Sequence, residues 1–398
     1  MISFREALGI LLAVTPRAAI EPCALEAAAG RVLREEIWAD RDFPAFDRVM
    51  MDGYALRLAD WELGHRAFRI SGVAPAGRAA VPLSDEIGTC VEVMTGAPCP
   101  PGADCILPVE ELVDRTPTGV VFSTTANPMI GRHLHRAGSD AASGQILISP
   151  GTVLGACQIG VAASCGACVV KVSALPRIAI VATGDELVAI HQSPEIYQIR
   201  QSNAHSLAAA LSRAGFAPQH VGVMEDDAAR ARPAMEALLG AHDWIVLTGA
   251  VSKGSRDFVP ALLQDLGCRK HFHGVAQRPG KPAGCWIGPQ GQMILALPGN
   301  PVSALTGLHA FVLPALIRAS GADIPEARQV RMAAASHQLP EFTRHLPVTL
   351  SPDGSAVAAA TGNSGDFIGL LKSEGFVTLP PRADITPIPT GFPYTPWR

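Results

Sequence analysis

The strongest constraint on the fold of this chain is an alternation of apolar strands and amphipathic helices between residues 172 and 322. Short runs such as "RIAIVAT", "DWIVL" and "QMILAL" have the length and composition of buried parallel strands. Helical segments lie between them, among them "NAHSLAAALSR", which is followed by Gly215, and "DDAARARPAMEALLG". Alternation of this kind predicts a doubly wound α/β sheet with helices on both faces.

The residues on either side of this region predict three further parts. Residues 48–137 contain short β-type runs separated by Pro/Gly turns, which indicates an inserted small β domain. Residues 1–47 and 138–171 form a linking part, with helices expected over Phe4–Ala13 and in "LEAAAGRVL". Residues 323–398 return to short β runs, so we expect a C-terminal β domain. The predicted fold class is therefore multidomain, α/β and β.

Composition argues against several broad classes of function. A net charge of −4 over 398 residues gives no general field that would attract nucleic acid or acidic lipid. No run of eighteen apolar residues is found, and the first residues lack a cleavage signature, so we expect neither a membrane span nor a signal peptide. The nine cysteines include one CxxC pair, Cys165 and Cys168, without further ligands nearby, which favours a structural role over a zinc or redox site. We therefore expect a reduced, cytoplasmic protein.

Three loops that follow strands of the predicted sheet combine glycine with polar side chains. In such sheets, ligands bind beyond the carboxyl ends of the strands. Glycine lets the backbone approach a ligand, a helix N-terminus favours an anion, and carboxylates suit Mg²⁺. A phosphorylated ligand with a metal is the chemistry that these loops imply. Their residues are Thr183, Gly184, Asp185 and Glu186 in the first loop, Thr248, Gly249, Ser252, Lys253 and Asp257 in the second, and Pro298, Gly299, Asn300, Pro301 and Ser303 in the third.

A fourth segment, "RPGKP", lies between the second and third loops along the chain. Its prolines hold it extended and its glycine removes bulk, so Arg278 and Lys281 are presented in a fixed geometry. Cations held in this way lose little entropy when they bind an oxyanion, and arginine offers two parallel donors. The "RPGKP" segment and the third loop also have structural interpretations. The "RPGKP" segment can be a solvated basic turn. The third loop can be the start of a helix, with Asn300 as N-cap and Pro301 at the first helical position.

Seven motifs occur along the chain in a set order: "FPAFDRVMMDGYA", "EVMTGAPCPPGADCILPVEE", "ATGDEL", "QSNAHSLAAAL", "LTGAVSKGSRDF", "RPGKP" and "LPGNPVSAL". Together they resemble the molybdopterin molybdenumtransferase family, which includes the bacterial MoeA proteins and the E domain of gephyrin. The resemblance covers nearly the whole chain. It implies a central molybdopterin-binding α/β domain, a helical/β dimerisation segment and a C-terminal small β-barrel domain, in a subunit that forms a homodimer.

The resemblance also implies an activity. Family enzymes take adenylated molybdopterin and molybdate, cleave the pyrophosphate with a divalent metal such as Mg²⁺, deliver molybdenum to the dithiolene and release AMP. A molybdopterin adenylyltransferase and downstream molybdoenzymes would be further partners, whereas nucleic acid and membranes would not. Two alternatives remain open: a non-catalytic molybdopterin-binding or scaffold paralogue, and a nucleotide-binding hydrolase built on the same α/β domain.

The motifs assign three groups of site residues when they are carried over position by position. The catalytic residues would be Asp52, reaching across the dimer from the insert, with Glu186, Asp226, Asp257 and Lys281. The metal ligands would be Asp140, Glu186, Asp226 and Asp257. The cofactor-binding residues would be Thr95, Thr183, Gly184, Asp185, Thr248, Gly249, Ser252, Arg278, Pro298, Gly299, Asn300, Pro301, Ser303, Arg344 and Ser364. Without the resemblance, the segments around Asp52 and Thr95 predict only turns.

This chain departs from the usual family sequence at a few positions. Arg48 and Val49 stand where the family usually has Asn-Ser, and Ala250 replaces a second glycine. Ala250 adds a methyl group where a close backbone approach is expected, and Lys253 adds a cation nearby. Arg278 replaces a lysine, which keeps the charge but changes the contact geometry.

Overall fold

The chain has a mixed α/β fold in which small β units flank a central sheet. The computed structural model describes residues 1–225, 227–249, 258–334, 339–359, 363–382 and 391–397. Up to residue 173 the helices and strands are β1 (Ile2–Ser3), α1 (Phe4–Val14), β2 (Ile20–Ala24), β3 (Ile37–Trp38), β4 (Arg48–Val49), β5 (Gly53–Leu56), α2 (Leu58–Glu62), β6 (Ala67–Ala74), β7 (Thr89–Val93), β8 (Cys105–Pro108), β9 (Leu112–Thr116), β10 (Gly119–Phe122), β11 (Leu134–His135), β12 (Ile146–Ile148), α3 (Ala156–Ser164) and β13 (Val169–Ser173).

Residues 48–122 contribute a six-stranded sheet, ordered β8-β5-β7-β6-β10-β9. Its core contains Tyr54, Phe68 and Phe122. The ring of Phe122 meets those of Tyr54 and Phe68 edge to face, at centroid distances of 5.8 and 5.9 Å respectively. The chain enters and leaves this unit through paired strands, because β2 pairs with β13 and β3 pairs with β12. These pairs bring the residues before and after the inserted sheet together.

A second six-stranded sheet follows and carries the predicted strand and helix alternation. The elements of this region are β14 (Ile178–Thr183), β15 (Leu187–Val188), β16 (Ile199–Arg200), α4 (Asn203–Arg213), β17 (His220–Met224), α5 (Ala228–Ala241), β18 (Trp244–Thr248), α6 (Val259–Asp265), β19 (Arg269–His273), β20 (Val275–Arg278), β21 (Gly284–Ile287), β22 (Met293–Leu297), α7 (Pro301–Gly307), a π-helical turn (Leu308–Val312) and α8 (Leu313–Ser320). Four strands of the sheet are parallel, in the order β17-β14-β18-β22, and β21 and β19 continue it antiparallel.

Helices cover both faces of this sheet, as the alternation predicts. Along β14, Ile178 and Ile180 pack into the core that contains α4, α7 and α8, and Ala179 and Val181 pack into the core that contains α5 and α6. Helix α1 also packs on the α4 face, through Ala7 and other buried residues. The first helix therefore belongs to the core of the central sheet by its packing, although the sequence pattern groups it with residues 1–47.

The C-terminal β unit forms a seven-stranded sheet that recruits two strands from earlier in the chain. Its own strands are β23 (Arg328–Val330), β24 (Thr343–Leu350), β25 (Ala356–Ala358), β26 (Gly375–Leu379) and β27 (Phe392–Pro396). The spatial order is β1-β20-β24-β26-β27-β23, with β25 paired to β24. Strand β20 carries the start of the "RPGKP" segment, so this segment belongs to a different sheet from the three predicted ligand loops.

The helical run Pro301–Ser320 is long and apolar enough to cross a membrane by length and composition, with a mean hydropathy of 1.5. However, 72% of the most apolar 18-residue stretch of this run is buried inside the fold. It packs against the central sheet through residues such as Leu308, Phe311 and Leu316. Burial in the core accounts for its apolar composition.

Candidate active site

An open cleft of about 1530 Å³ lies at the carboxyl ends of β14, β18 and β22, between the central sheet and the C-terminal sheet. All three loops that the sequence singles out contribute to its wall, as does the "RPGKP" bend. The predicted residues that line it are Thr183, Gly184, Glu186, Thr248, Gly249, Arg278, Lys281, Pro298, Gly299, Asn300, Pro301, Ser303, Arg344 and Ser364. The cleft is where an open α/β sheet places a ligand.

Close backbone packing forms one wall of the cleft. Gly249 has a φ of +96°, and a Cβ at this position would lie 2.5 Å from the carbonyl oxygen of Thr183. The N–H of Gly249 donates to the carbonyl of Leu297 at 3.1 Å, and a Cβ on Gly299 would lie 3.5 Å from the Cα of Gly249. Only glycine permits this approach at residue 249, so the backbone of the three loops packs closely where it borders the cleft.

The first loop carries the acidic group of the cleft. Among the residues that the structure describes, Glu186 is the one carboxylate in its wall. This side chain folds over Gly184, where a Cβ would lie 2.7 Å from both carboxylate oxygens. Asp185 does not line the cleft. It lies close enough to Arg230 for its charge to add to a rise in the pKa of that guanidinium, a rise caused mainly by the hydrogen bond to Glu225.

The third loop is tied to elements on both of its sides. Asn300 occupies the N-cap position of α7 with Pro301 at the first helical position, as the sequence predicts, but its side chain does not cap the helix. Its Nδ2 instead donates to the hydroxyl of Ser364 at 2.9 Å, and the N–H of Val302 donates to the carbonyl of Ser364 at 3.2 Å. Asn300 thus connects the central sheet to the C-terminal unit across the cleft.

Positive side chains concentrate on the opposite wall. Strands β20 and β24 are parallel, with Arg278 paired to Arg344, so these two side chains are cross-strand neighbours. Lys281 follows on the bend, where its Nζ lies 5.8 Å from the centre of the Phe342 ring. Together with Arg200, these cations outnumber the carboxylate among the described lining residues. The balance of charge favours an anionic ligand.

Besides Asp185, three of the predicted site residues that the structure describes lie outside the cleft of their own chain. Asp52 accepts hydrogen bonds from the N–H and the hydroxyl of Thr95, at 2.7 and 2.8 Å. Both bonds lower the pKa of the Asp52 carboxyl, and the bond from the backbone N–H has the larger effect. Asp140 lies 2.7 Å from Nε2 of His135. These residues belong to the inserted unit and its edge, and the expectation that Asp52 reaches the site across a dimer stays a prediction.

The metal assignment is described in part. Asp226, Ser252 and Asp257, with Ala250 and Lys253, lie outside the described residues. Within the ranges that are described, no group of three or more His, Cys, Asp or Glu side chains is placed to hold a metal ion. The nine cysteines, including Cys165 and Cys168, are all free thiols.

Sequence reasoning missed several residues of the cleft. Asn203 begins α4, and its Nδ2 donates to the carbonyl of Gly299 at 2.6 Å. Its place at the start of a helix on this sheet edge was an available signal. Gln277 and His345 also line the cleft, each directly beside a predicted cation in its strand. Their burial is visible only in the structure, so the sequence held no clear signal for this pair.

Comparison with known proteins identifies the family of this chain. Residues 2–166 match the MoeA N-terminal region (domain I and II), and residues 179–318 match a probable molybdopterin binding domain. The molybdopterin molybdenumtransferase of Synechocystis sp. is 34% identical over 403 residues, which cover 100% of both chains. The chain belongs to the molybdopterin molybdenumtransferase family. Molybdopterin molybdenumtransferase 2 of Mycobacterium tuberculosis is 33% identical, covering 94% of this chain and 93% of that protein. The Bacillus subtilis molybdopterin molybdenumtransferase is 31% identical, covering 90% and 85%.

Solved structures give the same result for the molybdopterin molybdenumtransferase fold. The molybdopterin biosynthesis MoeA protein of Pyrococcus horikoshii superposes with a TM-score of 0.79 at 26% identity, covering 100% of this chain and 99% of that one. A molybdenum cofactor biosynthesis protein of Pyrococcus furiosus superposes with a TM-score of 0.58 at 19% identity, covering 99% and 96%, which shows the fold alone. The family resemblance and the mixed α/β fold predicted from the sequence are both confirmed.

Proposed function

We propose that this chain is a transferase that inserts molybdenum into molybdopterin. The substrates are adenylated molybdopterin and molybdate, and the products are the molybdenum-loaded cofactor and AMP. The observation that carries the proposal is the cleft itself, where a wall of close-packed backbone faces the cations Arg278, Lys281 and Arg344. An adenylated pyrophosphate and a molybdate ion are both oxyanions, so one electropositive cleft suits them together.

The chain's own residues divide the work of this reaction. Arg278, Lys281 and Arg344 bind and orient the oxyanion groups and neutralise charge that develops during cleavage. Loop glycines such as Gly249 keep the loops closely packed at the carboxyl ends of the strands, where the phosphate groups would bind. Asn300 and Ser364 hold the third loop against the C-terminal unit, which keeps the two walls of the cleft in register.

A divalent metal such as Mg²⁺ fits the donor chemistry of the first loop. Glu186 offers a carboxylate within the cleft, and carboxylate with phosphate oxygen is the ligand set that Mg²⁺ prefers. Asp226 and Asp257 follow β17 and β18 along the sequence and complete the proposed set. When bound, the metal would supply charge neutralisation at the pyrophosphate. Asp140 enters this set only if it comes from another subunit.

We also propose a cytoplasmic homodimer whose subunits share the site. Asp52, Thr95 and Asp140 match family motifs but lie outside the cleft of their own chain. A partner subunit that presents its inserted unit at the cleft would bring these side chains to the substrate. A molybdopterin adenylyltransferase would deliver the substrate, and molybdoenzymes would receive the product.

The test is an AMP-release assay with adenylated molybdopterin, molybdate and Mg²⁺. We expect AMP to appear in a molybdate-dependent manner. Folded protein that releases no AMP above background would contradict the proposal. If such protein still bound adenylated molybdopterin tightly, the non-catalytic scaffold paralogue would replace it.

A further inference from the structure

The "RPGKP" bend rests on a hydrogen-bonded network of two buried side chains, Gln277 and His345, and the half-buried Thr378. Gln277 is 1% exposed, and its Nε2 donates to the carbonyl of Gly280 at 3.1 Å. Its Oε1 lies 3.3 Å from Nε2 of His345, which is also 1% exposed. Nδ1 of His345 lies 3.1 Å from the hydroxyl oxygen of Thr378. These hydrogen bonds therefore link β26 of the C-terminal sheet to the backbone of the bend.

The direction of each hydrogen bond in this network is fixed, because the network ends at the carbonyl oxygen of Gly280. A carbonyl only accepts, so the amide NH₂ of Gln277 faces Gly280 and the amide oxygen faces His345. Nε2 of His345 must then donate, and Nδ1 accepts from the hydroxyl of Thr378. Burial lowers the pKa of His345 to about 3, so the ring is neutral at physiological pH and has one donor and one acceptor nitrogen.

The bend is shaped to receive this amide. Gly280 has a φ of +97°, and a Cβ there would lie 2.7 Å from Nε2 of Gln277. The carbonyl of Gly280 also accepts from the N–H of Ala283 at 3.1 Å, and the N–H of Val275 donates to the carbonyl of Lys281 at 2.8 Å. The side chain of Gln277 thus fills the space that a larger residue at 280 would occupy.

Aromatic packing also fixes the imidazole ring of His345. The ring of His345 meets Phe4 of α1 and Phe376 of β26 edge to face, at centroid distances of 4.8 and 5.2 Å. Residues from the N-terminal helix and the C-terminal sheet therefore hold the ring in place. A buried polar network that satisfies all of its members in this way specifies one geometry.

We propose that Gln277 and His345 are positioning residues for oxyanion binding. They hold residues 278–282 in the shape that presents Arg278 and Lys281 to molybdate beside Arg344, and they act through the backbone of Gly280. The inference rests on the proposed function, because molybdate is a substrate of that reaction. Cations on a preformed bend lose less conformational entropy on binding than cations on a mobile one.

The test compares two buried glutamines by the same substitution. Gln277→Met removes the hydrogen bonds but keeps an unbranched side chain of similar length. Gln292→Met is the matched control, because Gln292 is 7% exposed and its Nε2 donates to the carbonyl of Leu239 at 2.7 Å, away from the cleft. We expect Gln277→Met to raise the KM for molybdate and its calorimetric Kd about tenfold, the cost of a lost buried hydrogen bond.

The KM for adenylated molybdopterin should rise by a smaller factor than the KM for molybdate, because this larger substrate also contacts parts of the cleft outside the bend. Tm should fall by no more than it does in Gln292→Met. His345→Phe keeps the ring packing but leaves the amide oxygen of Gln277 unpaired. We expect it to raise the KM for molybdate by a smaller factor, about threefold, since the bond to Gly280 remains.

The outcomes separate this inference from the proposed function. If wild-type protein binds molybdate but releases no AMP, the proposed function fails, and the calorimetric comparison still decides the role of Gln277. If wild-type protein turns over and Gln277→Met matches Gln292→Met in both molybdate constants, the positioning role is overturned. An equal rise in both substrates' KM values would likewise indicate a general structural defect and overturn it.

Discussion

Glycine has opposite effects at two positions of this chain, and a pair of Gly→Ala variants reveals them. A Cβ at Gly249 would meet the carbonyl of Thr183, and its φ of +96° suits few other residues, so we expect Gly249→Ala to lower the free energy of unfolding by about 1–3 kcal/mol. Gly9 lies inside α1 with nothing within 4 Å of a Cβ. We expect Gly9→Ala to raise it by about 0.5–1 kcal/mol.

Urea unfolding of both variants measures these changes. Wild-type stability in Gly249→Ala would show that the loops separate at little cost, contrary to the close packing that we describe. The Gly249→Ala protein should also bind adenylated molybdopterin less tightly, because the wall of the cleft must shift to accommodate the methyl group.

Replacing Lys281 directly tests whether the positive charge of the cleft is needed for activity. Its side chain contacts the ring of Phe342 at long range and is otherwise directed to the cleft edge, so its removal costs the fold little. We expect Lys281→Ala to abolish molybdate-dependent AMP release while Tm stays within a few degrees of wild type. Lys270→Ala, on the exposed edge strand β19, is the matched control and should keep full activity. Wild-type turnover in Lys281→Ala would remove this residue from the site.

At the scale of elements, the α/β alternation could be predicted because burial leaves a strong pattern. All six residues of β14 are buried, and the first five form an unbroken apolar run. The glycine that follows α4, at residue 215, has a φ of +86°. The predicted helix "LEAAAGRVL" was wrong beyond a 3₁₀ turn at Leu25–Ala27. Gly30 has a φ of +79°, and the N–H of Leu33 donates to Thr152, so pairing with a distant segment outweighs helical propensity.

The place of the "RPGKP" bend could not be read from local pattern. Strand β20 pairs with β1 and β24, whose residues are remote from it along the chain, so the relevant contacts leave no periodic signal nearby. The prolines and the glycine did predict a rigid bend that displays two cations, and those cations do line the cleft. What the sequence could not supply was the second sheet that carries them there.

The start of α5 offers a test of local structure. Asp227 is its N-cap, and its carboxylate accepts from the N–H groups of Ala229 and Arg230, both at 3.0 Å. We expect Asp227→Ala to lower the free energy of unfolding by about 1 kcal/mol, because two helix N–H groups lose their acceptor. Glu236→Ala, on the exposed side of the same helix, removes an ion pair with Arg232 at 3.6 Å and should change the free energy of unfolding by less than about 0.5 kcal/mol. Equal losses in the two variants would contradict the capping role.

For the whole molecule, the question is whether the cleft is complete in one chain. Asp52 is held by Thr95 in the inserted unit, whereas Lys281 lies in the cleft, and the proposed homodimer joins them across subunits. If the site is shared, inactive Asp52→Ala and inactive Lys281→Ala subunits complement each other, because a mixed dimer has one site with both residues intact. Random exchange of equal amounts should restore about a quarter of wild-type AMP release, since half of the dimers are mixed and each has one working site.

The control for this experiment uses two residues of the same cleft. Glu186→Ala and Lys281→Ala both alter the wall that one chain provides, so every site in their mixture keeps one defect and no activity should return. Mixed dimers must be shown by mass in both mixtures. If Asp52→Ala and Lys281→Ala form mixed dimers without activity, Asp52 does not act across the interface. The inserted unit would then have to reach the cleft of its own chain, which requires an arrangement of the subunit different from the one described.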